Sequence, residues 1–166
     1  MIRTSGEWKA LSTSDREVIE FFQDEIPVKI GELARQLGLI VKVSTLDVGI
    51  SGLIEPFEGA FKIIVNKHEP SYRRRFTLAH EVAHYLLHRH LIADGISDNI
   101  LYRSRLSDAV EAEANRLASD ILMPPVKVTE WKNQAGDQRM ADMVSQLAAY
   151  FDVSEEAMRI RLGMKK

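Results

Sequence analysis

The chain has 166 residues, enough for one domain whose core needs neither a disulfide nor a structural metal. It has no cysteine, which excludes thiol catalysis, disulfides and cysteine-held metal, so any bound metal must use His, Asp or Glu. With 22 Lys and Arg against 24 Asp and Glu the formal net charge is -2, and no global basic field draws in nucleic acid.

The opening, MIRTSGEWKALSTSD, has no apolar leader core, and no run in the chain approaches the ~18 apolar residues of a membrane span. The expectation is a cytoplasmic protein with no membrane partner. Residues 1–13 read as a loose lead-in without an assigned role. Ser14 and Glu17 fit a capping box, and Val18, Ile19, Phe21 and Phe22 follow as the apolar stripe of a short helix. Pro27 opens PVKIGELARQLGL, where Ile30, Leu33, Ala34 and Leu37 lie at helical spacing and Gly38 stands at the C-terminal position. The period then shortens. LIVKVSTL, SGLIEPF and AFKIIVN are rich in β-branched residues and separated by glycines at 49, 52 and 59, which predicts a small antiparallel three-stranded sheet. A loop holding Pro70 leads into a long helix from about Ser71 to His90. The segment LIADGISDNILYRSRLSD reads as a loop with a short helical turn. A second strong helix runs from about Asp108 to Met123 and is stopped by Pro124 and Pro125. The rest reads as a short helix, a loop at Gly136, and two helices joined through Asp152 and Val153, with Ser154 as the N-cap of the last. The fold class is α+β: residues 14–125 form a core and residues 126–166 a helical C-terminal subdomain.

The stretch RFTLAHEVAHYLLHRH, residues 75–90, holds four of the five histidines. The H-x-x-x-H spacing puts His80 and His84 one turn apart on one side of a helix, where both rings can reach one ion. Glu81 is turned aside from that pair. It is placed to act on a water held at the ion, the arrangement of a zinc hydrolase with glutamate as general base. The competing reading is a surface helix with scattered histidines. Against it, Phe76, Ala79, Ala83, Leu86 and Leu87 form the apolar stripe and His80 and His84 flank it, half-buried as ordered ligands should be. A catalytic zinc takes a third protein ligand. In DAVEAEANRLASDILMPP, Glu111 lies beside the buried stripe and is the natural choice, with Asn115 one turn on and able to orient a ligand histidine. The alternative for Glu111 is a rim carboxylate paired with an arginine. Glu113 and Asp120 read as polar-face charges, Glu113 spaced to pair with Arg116.

HEVAH with a downstream E-x-x-x-N helix resembles the gluzincin arrangement. More specifically, RRRFTLAHEVAHYLLH, EAEANRLASDILMP and LAAYFDVSEEAMRIRL resemble the ImmA/IrrE family of bacterial and phage metallopeptidases, together with PVKIGELARQLGL, SGLI and IIVN upstream. The resemblance covers residues 26 to 162 in matching order. It implies a zinc metalloendopeptidase with His80, His84 and Glu111 as ligands and Glu81 as the catalytic glutamate assisting attack by zinc-held water. It also implies a helix-turn-helix repressor or antitoxin as the protein partner, in phage and mobile-element regulation or toxin–antitoxin-like pairs. A second reading keeps the docking and drops the chemistry, making the chain a regulatory or toxin module.

The remaining residues are read more plainly. His88 continues the histidine row, but on one straight helix three such rings span about 12 Å, too far for one ion; capping the cavity or bonding the backbone is its expected role. His68 and His90 are taken as exposed. Of the arginines at 73–75, one is expected to turn inward onto a carboxylate. VSQLAAYFDVSEEAMRIRL has a helix-turn-helix rhythm, yet Glu155 and Glu156 occupy the turn that would approach bases. From Lys127 to Lys166 seven basic residues meet six acidic ones, so a packing or docking element is expected and no direct nucleic-acid binding. Tyr72, Tyr85, Tyr102, His88 and an arginine at 73–75 remain open as donors to a reaction oxyanion.

Overall fold

The structure, a computed structural model, describes residues 2–92, 96–97 and 106–165. Three short helices come first: α1 (Gly6–Ala10), α2 (Thr13–Gln23) and α3 (Ile30–Gln36). The strands β1 (Ile40–Ser44), β2 (Gly52–Phe57) and β3 (Ala60–Asn66) follow, then the long helix α4 (Ser71–Leu87) and a 3-10 turn (Arg89–Leu91). A two-residue strand β4 (Ile96–Ser97) precedes α5 (Asp108–Leu122), α6 (Pro125–Ala135), α7 (Met140–Phe151) and α8 (Glu155–Arg161). The α+β class stands. Most of the segment read as a loop with a helical turn, Tyr102 included, lies outside the described residues.

The sheet is mixed rather than wholly antiparallel. Its order is β1-β3-β2-β4. β2 and β3 form the expected antiparallel hairpin, with Phe57 opposite Ala60. The two residues between them, Glu58 and Gly59, both have positive φ, 47° and 78°. That is the left-handed pair a tight twisted hairpin requires, and glycine takes the second place without strain. β1, however, runs parallel to β3, Ile40 opposite Lys62 through Ser44 opposite Asn66. The reason lies in β3 itself. Its run Ile63-Ile64-Val65 suits a strand with neighbours on both sides, so β3 takes the middle and separates β1 from β2. Pro56 sits two residues beyond Ile54, the last residue of β2 seen to pair with β4.

The opening residues are not a loose lead-in. Ser5 caps α1 and its backbone N–H donates to Asp120 Oδ2 at 2.9 Å, while Glu7 pairs with Arg116 at 2.6 Å. The cap of α2 is Ser12, whose side chain accepts from Asp15 N, two residues before the expected Ser14. Ser154 caps α8 as read, and Asp152 takes the left-handed conformation that ends α7. Asp120 is not a polar-face charge. It is buried, and Arg161 reaches it at 2.9 Å while donating through Nε to Met123 O at 2.8 Å. The same carboxylate therefore ties α1, α5 and α8 together.

The core lies around α4. The sheet covers one side of this helix and α5 the other, and residues Thr77 to His84 are all buried. Ala79 and Ala83 on α4, with Ala114 and Ala118 on α5, keep side chains small where the helices meet. On the sheet side, Phe61 of β3 meets the edge of Tyr85 at 5.6 Å between ring centroids. Gly52 opens β2, not a turn, directly beneath α4. A Cβ built there would stand 2.5 Å from Thr77 Cγ2 and 3.0 Å from Ile64 O. Gly52→Ala is therefore expected to destabilise the protein by about 1–3 kcal/mol through overpacking. Urea unfolding checks it: a lowered midpoint with an unchanged slope is expected, and an unmoved midpoint would show that Thr77 yields freely.

Candidate metal centre

α4 and α5 together build the site. The i, i+4 spacing on α4 brings the rings of His80 and His84 to 4.6 Å between centroids, with Nε2 atoms 3.1 Å apart. Both rings are buried, as is Glu81 beside them. α5 starts at Ser107, whose side chain accepts from Val110 N, so Glu111 falls in the first helical turn. There the helix dipole favours a carboxylate. Glu111 Oε2 lies 3.0 Å from His80 Nε2 and Oε1 lies 3.1 Å from His84 Nε2. One turn on, Asn115 Oδ1 is 2.8 Å from His80 Nδ1. The structure thus brings His80, His84, Glu111 and Asn115 together, with Glu81 next to His80 in the same helix.

The electrostatics follow from this packing. Burial alone would raise the Glu111 carboxyl, but hydrogen bonds from His80 and His84 outweigh it and hold the group well below the usual carboxylate range. Burial lowers the His84 pKa below 6.5, with the Glu111 hydrogen bond acting in the other direction. A neutral imidazole and an ionised carboxylate are the protonation states a metal ligand needs.

The donor set fits a metal ion. One ligand atom from each of His80, His84 and Glu111 lies within 4.8 Å of the others. The closest approaches are 3.0–3.1 Å. Three corners of a tetrahedron with zinc-type bonds stand about 3.3 Å apart, so small adjustments would complete the shell. Each histidine meets a neighbour through Nδ1, His80 with Asn115 and His84 with His88, and turns Nε2 toward Glu111.

Sequence reasoning missed two participants. α4 ends at Leu87, three residues earlier than expected, and His88, at its C-cap, places Nδ1 2.9 Å from His84 Nδ1. Glu113, partly exposed and near enough to Arg116 to raise its pKa, also places Oε2 2.7 Å from His88 Nε2. The only signals were the third histidine of the HxxxHxxxH row and a second glutamate two places after Glu111. Of the open oxyanion donors, Tyr85 lies between Phe61 and the guanidinium of Arg89, and His88 is engaged as above. Arg75 is the arginine turned inward, paired with Asp152 at 3.3 Å. Tyr72 and Arg73 line a cavity of about 1010 Å³ beside the site. Phe76, Asn115, Arg116, Lys132 and Ile160 also line it, so Asn115 stands between the cavity and the ligand trio.

The family profile described as the IrrE N-terminal-like domain, Peptidase_M78, matches residues 53–163. No curated protein matches the chain. A solved structure, a Mycobacterium tuberculosis transcriptional regulator, is similar in fold with a TM-score of 0.61 at 18% identity. The match covers 95% of this chain and 48% of that one, so the chain spans about half the length of that protein. No helix among the described residues is long and apolar enough to cross a membrane.

The depressed pKa values carry a prediction for metal-free protein. An unfolded chain takes up protons at His84 from about pH 6.5 and at Glu111 from about pH 4.5, before the folded chain does. Both contributions to stability are therefore present above those values and lost as pH falls through the folded ones. Melting of chelator-treated protein from about pH 8 down to about pH 4 is expected to show Tm falling in that order. A flat profile would show that neither group is perturbed.

Proposed function

The chain belongs to the Peptidase_M78 family, and from that premise we propose that it is a zinc-dependent metalloendopeptidase of gluzincin type. The observation that carries this reading is the convergence of His80 Nε2, His84 Nε2 and a Glu111 carboxylate oxygen at 3.0–3.1 Å, from a helix that also presents Glu81. Two imidazoles and one carboxylate are a zinc donor set that leaves a fourth position open. A zinc ion there supplies a Lewis acid for the substrate carbonyl and lowers the pKa of water to about 7. Glu81 takes the proton from the attacking water and returns it to the departing amine as the peptide C–N bond breaks. Asn115 accepts from His80 Nδ1–H and holds that ring in place. The substrate chain lies in the cavity beside Asn115, where Phe76 and Ile160 offer apolar contact and Arg73, Arg116 and Lys132 offer positive charge.

The substrate we propose is a helix-turn-helix repressor or antitoxin acting with this chain in the cytoplasm. Membership in the family supports this, as does the likeness in fold to a protein described as a transcriptional regulator. The helix pair α7 and α8 suits docking more than DNA, since Arg161 is buried against Asp120.

The test is to incubate zinc-loaded chain with the helix-turn-helix protein encoded beside its gene. Discrete fragments are expected with the wild type, and Glu81→Gln is expected to slow their appearance by at least about 10²-fold while metal content stays unchanged. Equal cleavage by Glu81→Gln would remove Glu81 from the reaction. An intact partner that co-purifies with the chain would make it a docking module instead. Ile160 is 59% exposed, so its substitution is expected to leave folding intact. Ile160→Asp is expected to raise KM several-fold with metal content and stability unchanged, and unaltered KM would place the substrate elsewhere.

A further inference from the structure

We propose that Glu113 and His88 form a relay that fixes the tautomer and the aim of His84 at the metal centre. The inference rests on the metal reading of the site and adds to it two residues that bind no metal themselves.

The relay begins at the C-terminal end of α4. The i, i+4 spacing sets the third histidine of the row about 6 Å beyond the second along the axis, where its ring can still reach the ring of His84. The regular helix ends at Leu87. His88 sits at the C-cap with φ -125° and ψ 28°, its N–H donating to His84 O at 2.7 Å. Its ring then lies against that of His84, centroids 5.1 Å apart and planes tilted by 53°. His88 is 4% exposed, so its two ring nitrogens need partners inside the protein.

The partners determine the protons. Glu113 Oε2 stands 2.7 Å from His88 Nε2, and an ionised carboxylate only accepts, so His88 Nε2 carries hydrogen. A neutral His88 then has a lone pair on Nδ1. That atom faces His84 Nδ1 at 2.9 Å, and the contact is a hydrogen bond only if His84 Nδ1 carries the proton. In metal-loaded protein His84 Nε2 then turns its lone pair to the ion, in place of the hydrogen it gives to Glu111 when no ion is bound. No other assignment keeps both rings neutral and both contacts bonded. For His80 the same task falls to Asn115 Oδ1, at 2.8 Å. The two ligand rings are held by different devices: a side-chain amide for one, an imidazole backed by a carboxylate for the other.

The comparison with Asn115 supplies the test. Asparagine Oδ1 occupies the place of histidine Nδ1 on the side chain, so His88→Asn keeps the acceptor for His84 and removes the link to Glu113. Zinc affinity is measured on the full chain by competition with a chromophoric chelator. His88→Leu is expected to weaken zinc binding about 10- to 100-fold, and His88→Asn to recover most of that loss. Glu113→Leu is expected to weaken binding in the wild-type background and to have no effect beside His88→Asn. In cobalt-loaded protein, the hyperfine-shifted exchangeable proton of His84 Nδ1 is expected in wild type and His88→Asn and absent from His88→Leu. Equal losses in His88→Leu and His88→Asn would show a packing role and overturn the relay, as would equal affinity in all variants. Should His88→Leu fail to fold, the coupling between Glu113→Leu and His88→Asn decides alone. A wild type that takes up neither zinc nor cobalt overturns the metal reading itself, a result distinct from variants that all bind alike.

Discussion

The structure depends on burying a helix that is polar along part of its length. Eight consecutive residues of α4, Thr77 to His84, are removed from solvent, and three of them are His80, Glu81 and His84. A buried ionisable side chain is costly unless its polar atoms are engaged. α5 supplies the engagement, with Glu111 facing both imidazoles and Asn115 behind one of them. The alanines between the two helices let the donors approach within hydrogen-bond distance. The sheet on the far side sets the depth of α4, through the contact of Gly52 with Thr77. His80 lies less than one turn from Thr77, so the sheet and the donor set share one short piece of backbone.

What could be read from the sequence was what short-range periodicity encodes. The i, i+4 histidines, the stripe of α5 that leaves Glu111 beside the core, and the apolar runs of β2 and β3 all follow from residues a few places apart. The two-residue turn at Glu58 and Gly59 belongs with them. Parallel pairing of β1 with β3 was not legible, because nothing within β1 says which strand will stand next to it. Asp120 was misplaced for a related reason. On its own helix it faces away from the stripe, and only Ser5 and Arg161, each distant in the chain, turn that face into an interior. The contact of Glu113 was not legible because it joins His88 on another helix, 25 residues away.

The arginines illustrate how little a residue count says about a surface. Arg161, in the stretch with a helix-turn-helix rhythm, is a strut between α8, Asp120 and the end of α5. Arg75 ties the start of α4 to the left-handed Asp152 between α7 and α8. Both hold the C-terminal helices against the centre, and both are largely hidden from solvent. The helix-turn-helix rhythm there describes how two short helices pack, with Val144, Leu147, Phe151 and Met158 facing inward.

The cavity beside the ligand trio is walled by segments far apart in the chain. Ile2, Arg3 and Ser5 lie on one side, and Ala157, Ile160 and Leu162 on another. The three candidate ligands, by contrast, all fall between positions 80 and 111. Synthesis proceeds from the N-terminus at roughly 5–20 residues per second. A nascent chain released as far as α6 would already hold every metal donor, yet it would lack the wall contributed by α8. The candidate metal donors therefore emerge during synthesis before the wall that α8 adds to the cavity.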